Sequence, residues 1–140
     1  MPSLKFPYLR FRTNPSRDPL RRQSFQRPVI PLRLFGPTGY IDTHALVDSG
    51  SDGTVFDHEL AEAVGIDWKK GAFHEVLSVD GSRLPVQVSS VSYELEGHGF
   101  LIDAGFARLP YFKAVLGENG FFDRVIVSLD YGNNRVEVKI

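Results

Sequence analysis

The residues with the clearest capacity for chemistry are the four from Asp48 to Ser51, with the sequence Asp-Ser-Gly-Ser. They follow directly on the apolar run Ala45-Leu46-Val47, which is typical of a buried strand. An ionised carboxylate at the end of such a strand is costly unless hydrogen bonds or a partner charge stabilise it. Gly50 permits a sharp turn, and the hydroxyls of Ser49 and Ser51 can bond a neighbouring carboxylate. The pattern indicates a catalytic aspartate on a loop.

The triplet Asp-x-Gly is not specific by itself, because the chain contains three copies of it. Asp103-Ala104-Gly105 also follows an apolar run but continues Phe-Ala-Arg, so we expect an ordinary turn there. Asp130-Tyr131-Gly132 lies close to the last residue, where little chain is left to build a site. Only the first copy continues with a small hydroxyl residue and then Asp52-Gly53-Thr54-Val55. We therefore assign the chemistry to Asp48.

The stretch from Ala45 to Val55 resembles the active-site segment of retroviral-type aspartic proteases, the retropepsins. The family pattern is an apolar strand, then Asp-Thr/Ser-Gly-Ala/Ser-Asp and Thr-Val. Ala114-Val115-Leu116-Gly117 is similar to the second family signature, two apolar residues and a glycine. The resemblance extends in order over residues 29 to 140, which is more specific than a short motif. It implies a mostly β, closed barrel-like acid-protease fold with one or two short helices.

The resemblance implies an aspartic endopeptidase that acts as a homodimer on a peptide or protein substrate. In this chemistry two adjacent aspartates share a proton, so that one activates a water and the protonated one donates to the scissile carbonyl. The chain offers one aspartate in the right context, so a two-fold axis would have to bring together Asp48 from two copies. The peptide would lie extended, as an added strand. No cofactor and no metal are implied.

Matched residue by residue, the resemblance implies roles for several neighbours of Asp48. Gly50 would bind the substrate backbone, and Asp52 would lie near the end of the bound peptide. Val55 and Val115 would line apolar pockets.

A turn signal at Asp80-Gly81 separates two predicted strands at 73–79 and 83–88, and indicates a tight two-residue hairpin. Such a hairpin could simply lie at the surface. Its place between the two signatures matches the flap with which retropepsins cover a substrate. The resemblance therefore makes Val79, Asp80 and Gly81 candidate substrate-binding residues.

Glu118 departs from the family pattern, because retroviral members usually carry an arginine after this glycine. That arginine normally helps to fix the aspartate matched by Asp52. We therefore expect Asp52 to have a cationic partner such as Arg124 or Arg108, or else a rebuilt dimer contact.

The elements that position these residues are predicted to be short strands separated by turns. Alternating patterns and turn residues support hairpins at both ends of the domain, and Asp57 is a plausible N-cap for a short helix that Gly65 would end. The predicted elements include strands at 29–34, 40–47, 91–95, 100–102, 111–116, 125–129 and 135–140, and a helix at 59–64.

Length and composition favour one globular domain, with 140 residues of which 42% are apolar and 24% charged. The chain has no cysteine, which excludes disulfides, thiol nucleophiles and thiolate metal sites. Its four histidines form no His-x-x-x-His ligand pair. No apolar run approaches the ~20 residues of a membrane span, and residues 1–9 lack the apolar region of a signal peptide. We therefore expect a cytoplasmic location and no membrane partner.

Charge is distributed unevenly along the chain. Residues 1–28 carry seven Lys/Arg and one acid, whereas residues 29–140 carry nine Lys/Arg and sixteen acids. The first segment is rich in Pro, Arg and Ser, and its apolar residues follow no sustained periodic pattern. We therefore predict an irregular basic arm that folding does not require. The domain proper would be 29–140. Six excess charges are a weak nucleic-acid signal, so we do not expect a nucleic-acid partner.

Two alternative functions stay open at this point. A protease-like fold could serve as a dimerisation or peptide-binding module without catalysis. A calcium-binding loop is a more distant alternative, because Asp48, Asp52, Gly53 and Glu59 match positions 1, 5, 6 and 12 of an EF-hand loop. Gly50 stands where that loop needs an acid or amide, and no helix is predicted before Asp48.

Overall fold

A computed structural model describes residues 1–78 and 80–140. In this part of the chain there are twelve strands, one α-helix and one 3₁₀ turn. The strands are β1 (Ser3–Phe6), β2 (Leu9–Arg12), β3 (Ser24–Arg27), β4 (Val29–Gly36), β5 (Gly39–Val47), β6 (Val55–Asp57), β7 (Ala72–Leu77), β8 (Arg83–Leu95), β9 (His98–Ala107), β10 (Ala114–Leu116), β11 (Ile126–Asp130) and β12 (Arg135–Lys139). The helix α1 spans His58–Ala63, and the 3₁₀ turn spans Trp68–Lys70.

Six strands close into a ring, which confirms the predicted barrel-like β fold. The order in the large sheet is β4-β5-β10-β6-β9-β8-β7, and β4 also pairs with β8. Strand β7 is left outside the ring as the outermost strand of the β7–β8 hairpin. Large apolar side chains from the ring strands and the following segment fill the interior and are almost completely buried: Ile30, Leu34, Phe56, Tyr93, Leu95, Phe106, Leu116 and Phe121.

Local turn chemistry explains the hairpins β4–β5 and β8–β9. Gly36 pairs with Gly39, so Pro37 and Thr38 form the turn between β4 and β5 as predicted. The β8–β9 hairpin turns at Glu96-Gly97, where φ is +46° and +84°. Two consecutive left-handed residues form the turn type that suits a two-residue hairpin.

Asp103-Ala104-Gly105 lies inside β9 and is not a turn, so that prediction was wrong. Ala104 is completely buried and pairs with Ser89 of β8. A side chain on Gly105 would lie 2.9 Å from Val86, which explains the glycine in this strand. Gly105 is needed because Val86 leaves no room for a side chain, and not because the backbone turns here.

The segment before Val29 is ordered, and the prediction of an irregular arm was wrong. Strand β1 pairs with β12, and its apolar positions Leu4 and Phe6 are 7% and 4% exposed. Tyr8 is also buried, and its ring packs edge-on against Tyr131 at 5.5 Å. The alternation of apolar residues at positions 4, 6 and 8 is a strand signal that prolines at positions 2 and 7 obscure.

The rest of this segment forms a two-stranded ribbon from β2 and β3. Phe11 stacks on Phe25 across the ribbon at 5.5 Å, and Phe11 also contacts Phe112 at 6.0 Å. Arg27 lies 4.3 Å above the ring of Phe25. Aromatic contacts therefore attach the ribbon to the loop that follows β9.

A second small sheet has the order β1-β12-β11. Its β11–β12 hairpin agrees with the one predicted near the C-terminus. Among the described residues, no helix combines the length and the apolar character needed to cross a membrane.

Candidate active site

Asp48 lies at the first position after β5, next to the second signature. Strands β5 and β10 run parallel, so Val47 is paired with Leu116, and the backbone N–H of Asp48 donates to Leu116 O at 2.9 Å. The Asp48 carboxylate is partly buried and accepts one hydrogen bond from Gly50 N at 2.9 Å. The N–H of Ser51 donates to Asp48 O at 3.2 Å and closes the turn.

The loop after Asp48 is held against the segment after β10 by backbone hydrogen bonds. Glu118 N donates to Ser51 O at 2.9 Å, and Asn119 N donates to Asp52 O at 3.1 Å. The buried Thr54 hydroxyl donates to Asn119 O at 2.9 Å and accepts from Gly117 N at 3.2 Å. These bonds fix the backbone that carries the carboxylate.

Gly117 is where the two segments come closest. A Cβ at this position would lie 2.2 Å from Gly53 O and 2.7 Å from Ser51 O. Both atoms belong to the backbone, so a side-chain rotation cannot relieve the clash. The glycine of the second signature is therefore required by packing against the first.

Replacing Gly117 with alanine is expected to lower the free energy of unfolding by about 3 kcal/mol or more, because the added methyl group must displace backbone. Gly132→Ala is the matched control, since the Cβ that alanine adds there would have no other atom within 4 Å. Urea unfolding of both variants measures the difference. Equal stability losses at the two positions would contradict the close packing at Gly117.

A groove of ≈ 410 Å³ opens beside Asp48, under the β7–β8 hairpin. Its lining combines the active-site loop with residues of β6, β10, the β7–β8 hairpin and the segment after β9: Asp48, Gly50, Ser51, Val55, Val76, Ser78, Asp80, Leu84, Leu109 and Val115. Of the residues predicted from sequence, six line this groove, namely Asp48, Gly50, Ser51, Val55, Asp80 and Val115. Sequence analysis missed Val76, Ser78, Leu84 and Leu109.

Other predicted site residues lie elsewhere. Ser49 is exposed at the tip of the loop, and Gly81 lies in the hairpin turn with φ of +85° and open space around it. Val79 lies outside the described residues. The hydroxyl of Ser51 donates to Gly53 O at 2.8 Å, so it supports the loop backbone.

The β7–β8 hairpin differs in detail from the prediction of a two-residue turn. Ser78 N donates to Ser82 O at 3.0 Å, which leaves three positions between these paired residues. Gly81 is left-handed, as the last residue of such three-residue loops usually is. The nearby Ser82 hydroxyl and the Ser82 backbone N–H, which donates to Asp80 Oδ1 at 2.8 Å, hold the pKa of the Asp80 carboxyl below its usual range.

Asp52 contacts the hairpin instead of a cation. Its Oδ1 accepts a hydrogen bond from Leu77 N, at the end of β7, with a distance of 3.1 Å. Throughout residues 1–78 and 80–140 Asp52 forms no salt bridge, and Arg124 lies 3.9 Å from Asp123. The predicted cationic partner, Arg124 or Arg108, is therefore not found. A backbone N–H of the hairpin takes its place.

Replacing Asp52 with alanine is expected to free the hairpin base and to speed amide exchange at Leu77 by about tenfold, the effect of one lost charge-assisted hydrogen bond. Asp52→Asn is the matched control, because its amide oxygen can still accept the bond. Amide hydrogen exchange followed by NMR measures both rates. Unchanged exchange at Leu77 in the alanine variant would show that Asp52 does not hold the hairpin.

Comparison with known proteins supports the fold. Neither the scan against protein-family models nor the search of curated proteins gave a match. Among solved structures, a retropepsin-like aspartic protease from Rickettsia conorii is similar, with a TM-score of 0.62 and 16% sequence identity over 98% of each chain. The fold is that of a retropepsin-like protease. At this identity the likeness concerns the fold and does not extend to activity.

Within the retropepsin-like fold, the buried Asp57 connects three segments around the groove. Its Oδ2 caps α1 by accepting from Glu59 N at 3.2 Å, as the sequence predicted, and its Oδ1 accepts from Leu109 N at 2.8 Å. Burial alone would raise its pKa, but these bonds and the nearby Lys113 ammonium lower the pKa below the usual value. Asp57 thereby fixes the backbone of Leu109, which lines the groove.

Asp57, His58 and Glu59 are the one group in the described chain whose ligand atoms lie close enough to hold a metal, within 4.8 Å of one another. Their carboxylates already have partners, because Lys113 Nζ lies 3.5 Å from Asp57 and 3.2 Å from Glu59. His58 in turn lies 3.4 Å from Glu62. The group is explained as a helix cap with ion pairs.

The retropepsin-like fold also disfavours the calcium-binding alternative. An EF-hand loop needs a helix before its first ligand, and strand β5 precedes Asp48. Glu59, the twelfth position of that loop, is paired with Lys113.

Proposed function

We propose that the protein is an aspartic endopeptidase, which hydrolyses peptide bonds as a homodimer with a water activated by paired Asp48 carboxylates. The observation that carries the proposal is the placement of Asp48. Its carboxylate has one hydrogen bond within the loop and faces a groove that is mostly apolar and lies under a hairpin. A rigid carboxylate in such a groove is the arrangement expected of a general base.

The proposal requires a second copy of the chain. The other carboxylate that lines the groove, Asp80, belongs to the hairpin turn and already accepts a hydrogen bond from Ser82 N at 2.8 Å, so we do not pair it with Asp48. Two Asp48 carboxylates across a two-fold axis would be equivalent and close, and mutual repulsion would leave one of them protonated. The active unit is then a dimer in which each chain supplies one aspartate.

In the reaction the ionised Asp48 removes a proton from water, and the water oxygen bonds to the carbonyl carbon of the peptide. The protonated Asp48 of the other copy donates its proton to the carbonyl oxygen. Collapse of the tetrahedral intermediate then breaks the C–N bond, and the amine leaves with the proton that the first carboxylate took from the water. As the carbonyl re-forms, one hydroxyl of the intermediate returns its proton to the second carboxylate. The products are a carboxylic acid and an amine, and the dyad returns to one shared proton.

The groove favours an extended peptide with apolar side chains near the scissile bond. Val55, Val115 and Leu109 contribute apolar surface on one side, and Val76 and Leu84 contribute it from the hairpin. Gly50, which lies beside the carboxylate, leaves room for the substrate backbone. We propose the β7–β8 hairpin as the flap that closes over this peptide, and a cytoplasmic location for the reaction.

The test is cleavage of an unfolded protein rich in apolar residues, with the products identified by mass spectrometry. We expect inhibition by a peptide in which a hydroxyl-bearing isostere replaces the scissile amide, because it mimics the tetrahedral intermediate. Metal chelators should have no effect. Saturable peptide binding without any cleavage would instead support the alternative of a catalytically inactive binding module.

A further inference from the structure

The β2–β3 ribbon carries a concentrated positive charge. Residues 9–27 contain six arginines, no lysine and one acid. That acid is already paired, because Asp18 Oδ2 accepts a hydrogen bond from Arg22 Nε at 2.8 Å. Within residues 1–78 and 80–140, four of the arginines are exposed and have no salt-bridge partner: Arg10, Arg12, Arg17 and Arg21. The ribbon therefore presents an uncompensated cationic surface to the solvent.

The two faces of the ribbon differ. Phe11 and Phe25 are paired across it and stack on each other, and Phe11 also contacts Phe112, so this face lies against the domain. Successive side chains of a strand point to opposite faces, so Arg10 and Arg12 project from the outward face. Their Cα atoms are ~6.6 Å apart, which is also the repeat of alternate residues in an extended peptide. The outward face thus matches a strand with acids at alternate positions.

The cations of this surface are all arginines, which narrows the ligand chemistry. A guanidinium is planar and forms two parallel hydrogen bonds with a carboxylate or a phosphate. The ligand is therefore an anion with such oxygen atoms. Residues 29–140 carry nine Lys/Arg and sixteen acids, so the rest of the chain repels a long polyanion that extends past the ribbon. A short anionic segment avoids this repulsion.

Two features favour an acidic peptide over the other anions. Nucleic-acid binding uses free aromatic faces on which bases stack, but the ring of Phe25 is covered by Phe11 and by Arg27, which lies 4.3 Å from its centroid. Membrane binding needs an apolar face that enters the lipid. In residues 9–27 only Leu20 is a strongly exposed large apolar side chain, at 70%.

The loop after β9 connects the ribbon with the groove beside Asp48. Leu109 of this loop lines the groove, and Phe112 contacts Phe11 of the ribbon. Because only three residue steps separate them, the Cα atoms of Leu109 and Phe112 lie at most about 11 Å apart. Arg108, at the start of the loop, is exposed and adds a further cation. An extended chain that leaves the groove can therefore reach the ribbon within about ten residues.

We propose that the outward face of the β2–β3 ribbon docks an acidic, extended segment of a protein, with carboxylates at alternate positions bound by Arg10 and Arg12. The ribbon itself carries this inference. That the docked protein is a substrate, held by an acidic segment outside the stretch that is cleaved, rests on the proposed function. Docking at the ribbon raises the effective concentration of the cleaved stretch at the groove. It therefore lowers KM and leaves kcat unchanged.

The test is fluorescence polarisation with a labelled peptide of four Glu-Ser repeats. The double variant Arg10→Glu/Arg12→Glu should raise its Kd by at least about tenfold, because both attractive charges become repulsive. Lys69→Glu/Lys70→Glu is the matched control, since it makes the same change in net charge at two exposed lysines of the 3₁₀ turn. It should change the Kd by less than about threefold. Circular dichroism confirms that both variants fold.

Three outcomes of the binding measurements would overturn the proposal. The first is a wild-type chain that binds the Glu-Ser peptide no better than the same peptide with glutamine in place of glutamate. The second is an equal loss of binding in the ribbon variant and in the lysine control, which would indicate attraction by net charge alone. The third is tighter binding of oligothymidylate or of phosphatidylserine vesicles, lost in Arg10→Glu/Arg12→Glu, which would make the partner a nucleic acid or a membrane.

Kinetics test the substrate and separate docking from the proposed function. Joining the Glu-Ser stretch to an apolar peptide substrate should lower its KM by at least about fivefold without changing kcat, and the ribbon variant should lose this gain. Polarisation with Asp48→Asn protein reports docking without hydrolysis. Ribbon-dependent binding by a chain without peptidase activity would retain the docking surface and reject the proposed function. An active peptidase whose KM ignores the Glu-Ser stretch would retain the function and reject substrate docking.

Discussion

Asp48→Asn is expected to lower the rate of peptide hydrolysis by at least about 10³-fold, because the amide fills the same volume but can neither take nor give up a proton in this step. In a homodimer the substitution removes both members of the dyad at once. The fold should be unchanged, since the amide oxygen of the new side chain can still accept the bond that Gly50 N donates to the Asp48 carboxylate. Steady-state kinetics and circular dichroism measure the two effects.

Asp103→Asn is the matched control for this prediction. Asp103 belongs to another Asp-x-Gly triplet, is exposed on β9 and accepts a hydrogen bond from the Ser90 hydroxyl at 2.7 Å. The amide can still accept that bond, so activity should stay near the wild-type level. Activity that persists in Asp48→Asn would reject the aspartic-protease proposal.

Mixing wild-type and Asp48→Asn chains adds a test of assembly. A mixed dimer has one carboxylate and should be inactive, so activity should fall with the square of the wild-type fraction. A linear fall would mean that each chain acts alone. This measurement depends on subunit exchange, which dilution and reconcentration before the assay ensures.

The parts of the site that sequence predicted are those encoded by neighbouring residues. The turn at Asp48-Ser49-Gly50 follows from a strand pattern and a glycine, and the cap at Asp57 follows from a carboxylate two residues before the amide it binds. In both the turn and the cap, the hydrogen-bonded residues are only two positions apart in the sequence. Local chemistry is sufficient for them, and the resemblance identifies Ala114 to Gly117 as a second signature without predicting its contacts.

The parts that sequence did not predict depend on how the barrel closes. Asp52 was expected to need a cation, but the closed ring brings the Leu77 N–H, 25 residues away, to its carboxylate. Leu109 lines the groove because Asp57, 52 residues earlier, holds its backbone. Neither contact leaves a periodic or compositional signal, since any exposed N–H can satisfy a carboxylate. The strand order must be known before such partners can be named.

The first residues of the chain show how composition can conceal a strand. Basic residues and prolines dominate the segment and obscure its short apolar alternation. Strand β1 is formed by pairing with β12, at the other end of the chain, as in the pair between Phe6 and Val136. The alternation indicates a strand, but the residues of the segment do not show which distant strand it pairs with.

Phe6→Ala is therefore expected to lower the free energy of unfolding by about 3–5 kcal/mol, the usual effect of truncating a buried phenylalanine. Phe6 is 4% exposed in the same core cluster as Val136 and Val138. Folded proteins are stable by only about 5–15 kcal/mol, so this loss is a large fraction of the total. Urea unfolding followed by circular dichroism measures it.

Phe73→Ala is the matched control, because this phenylalanine is 66% exposed on β7 and its truncation should change stability by less than about 0.5 kcal/mol. A chain that begins at Leu9 lacks β1 altogether and should be less stable than Phe6→Ala, since it also loses Leu4, Tyr8 and the hydrogen bonds to β12. If that shortened chain unfolded at the same urea concentration as the full chain, the original expectation of a dispensable segment would be restored. Strand β1 would then lie against the core without stabilising it.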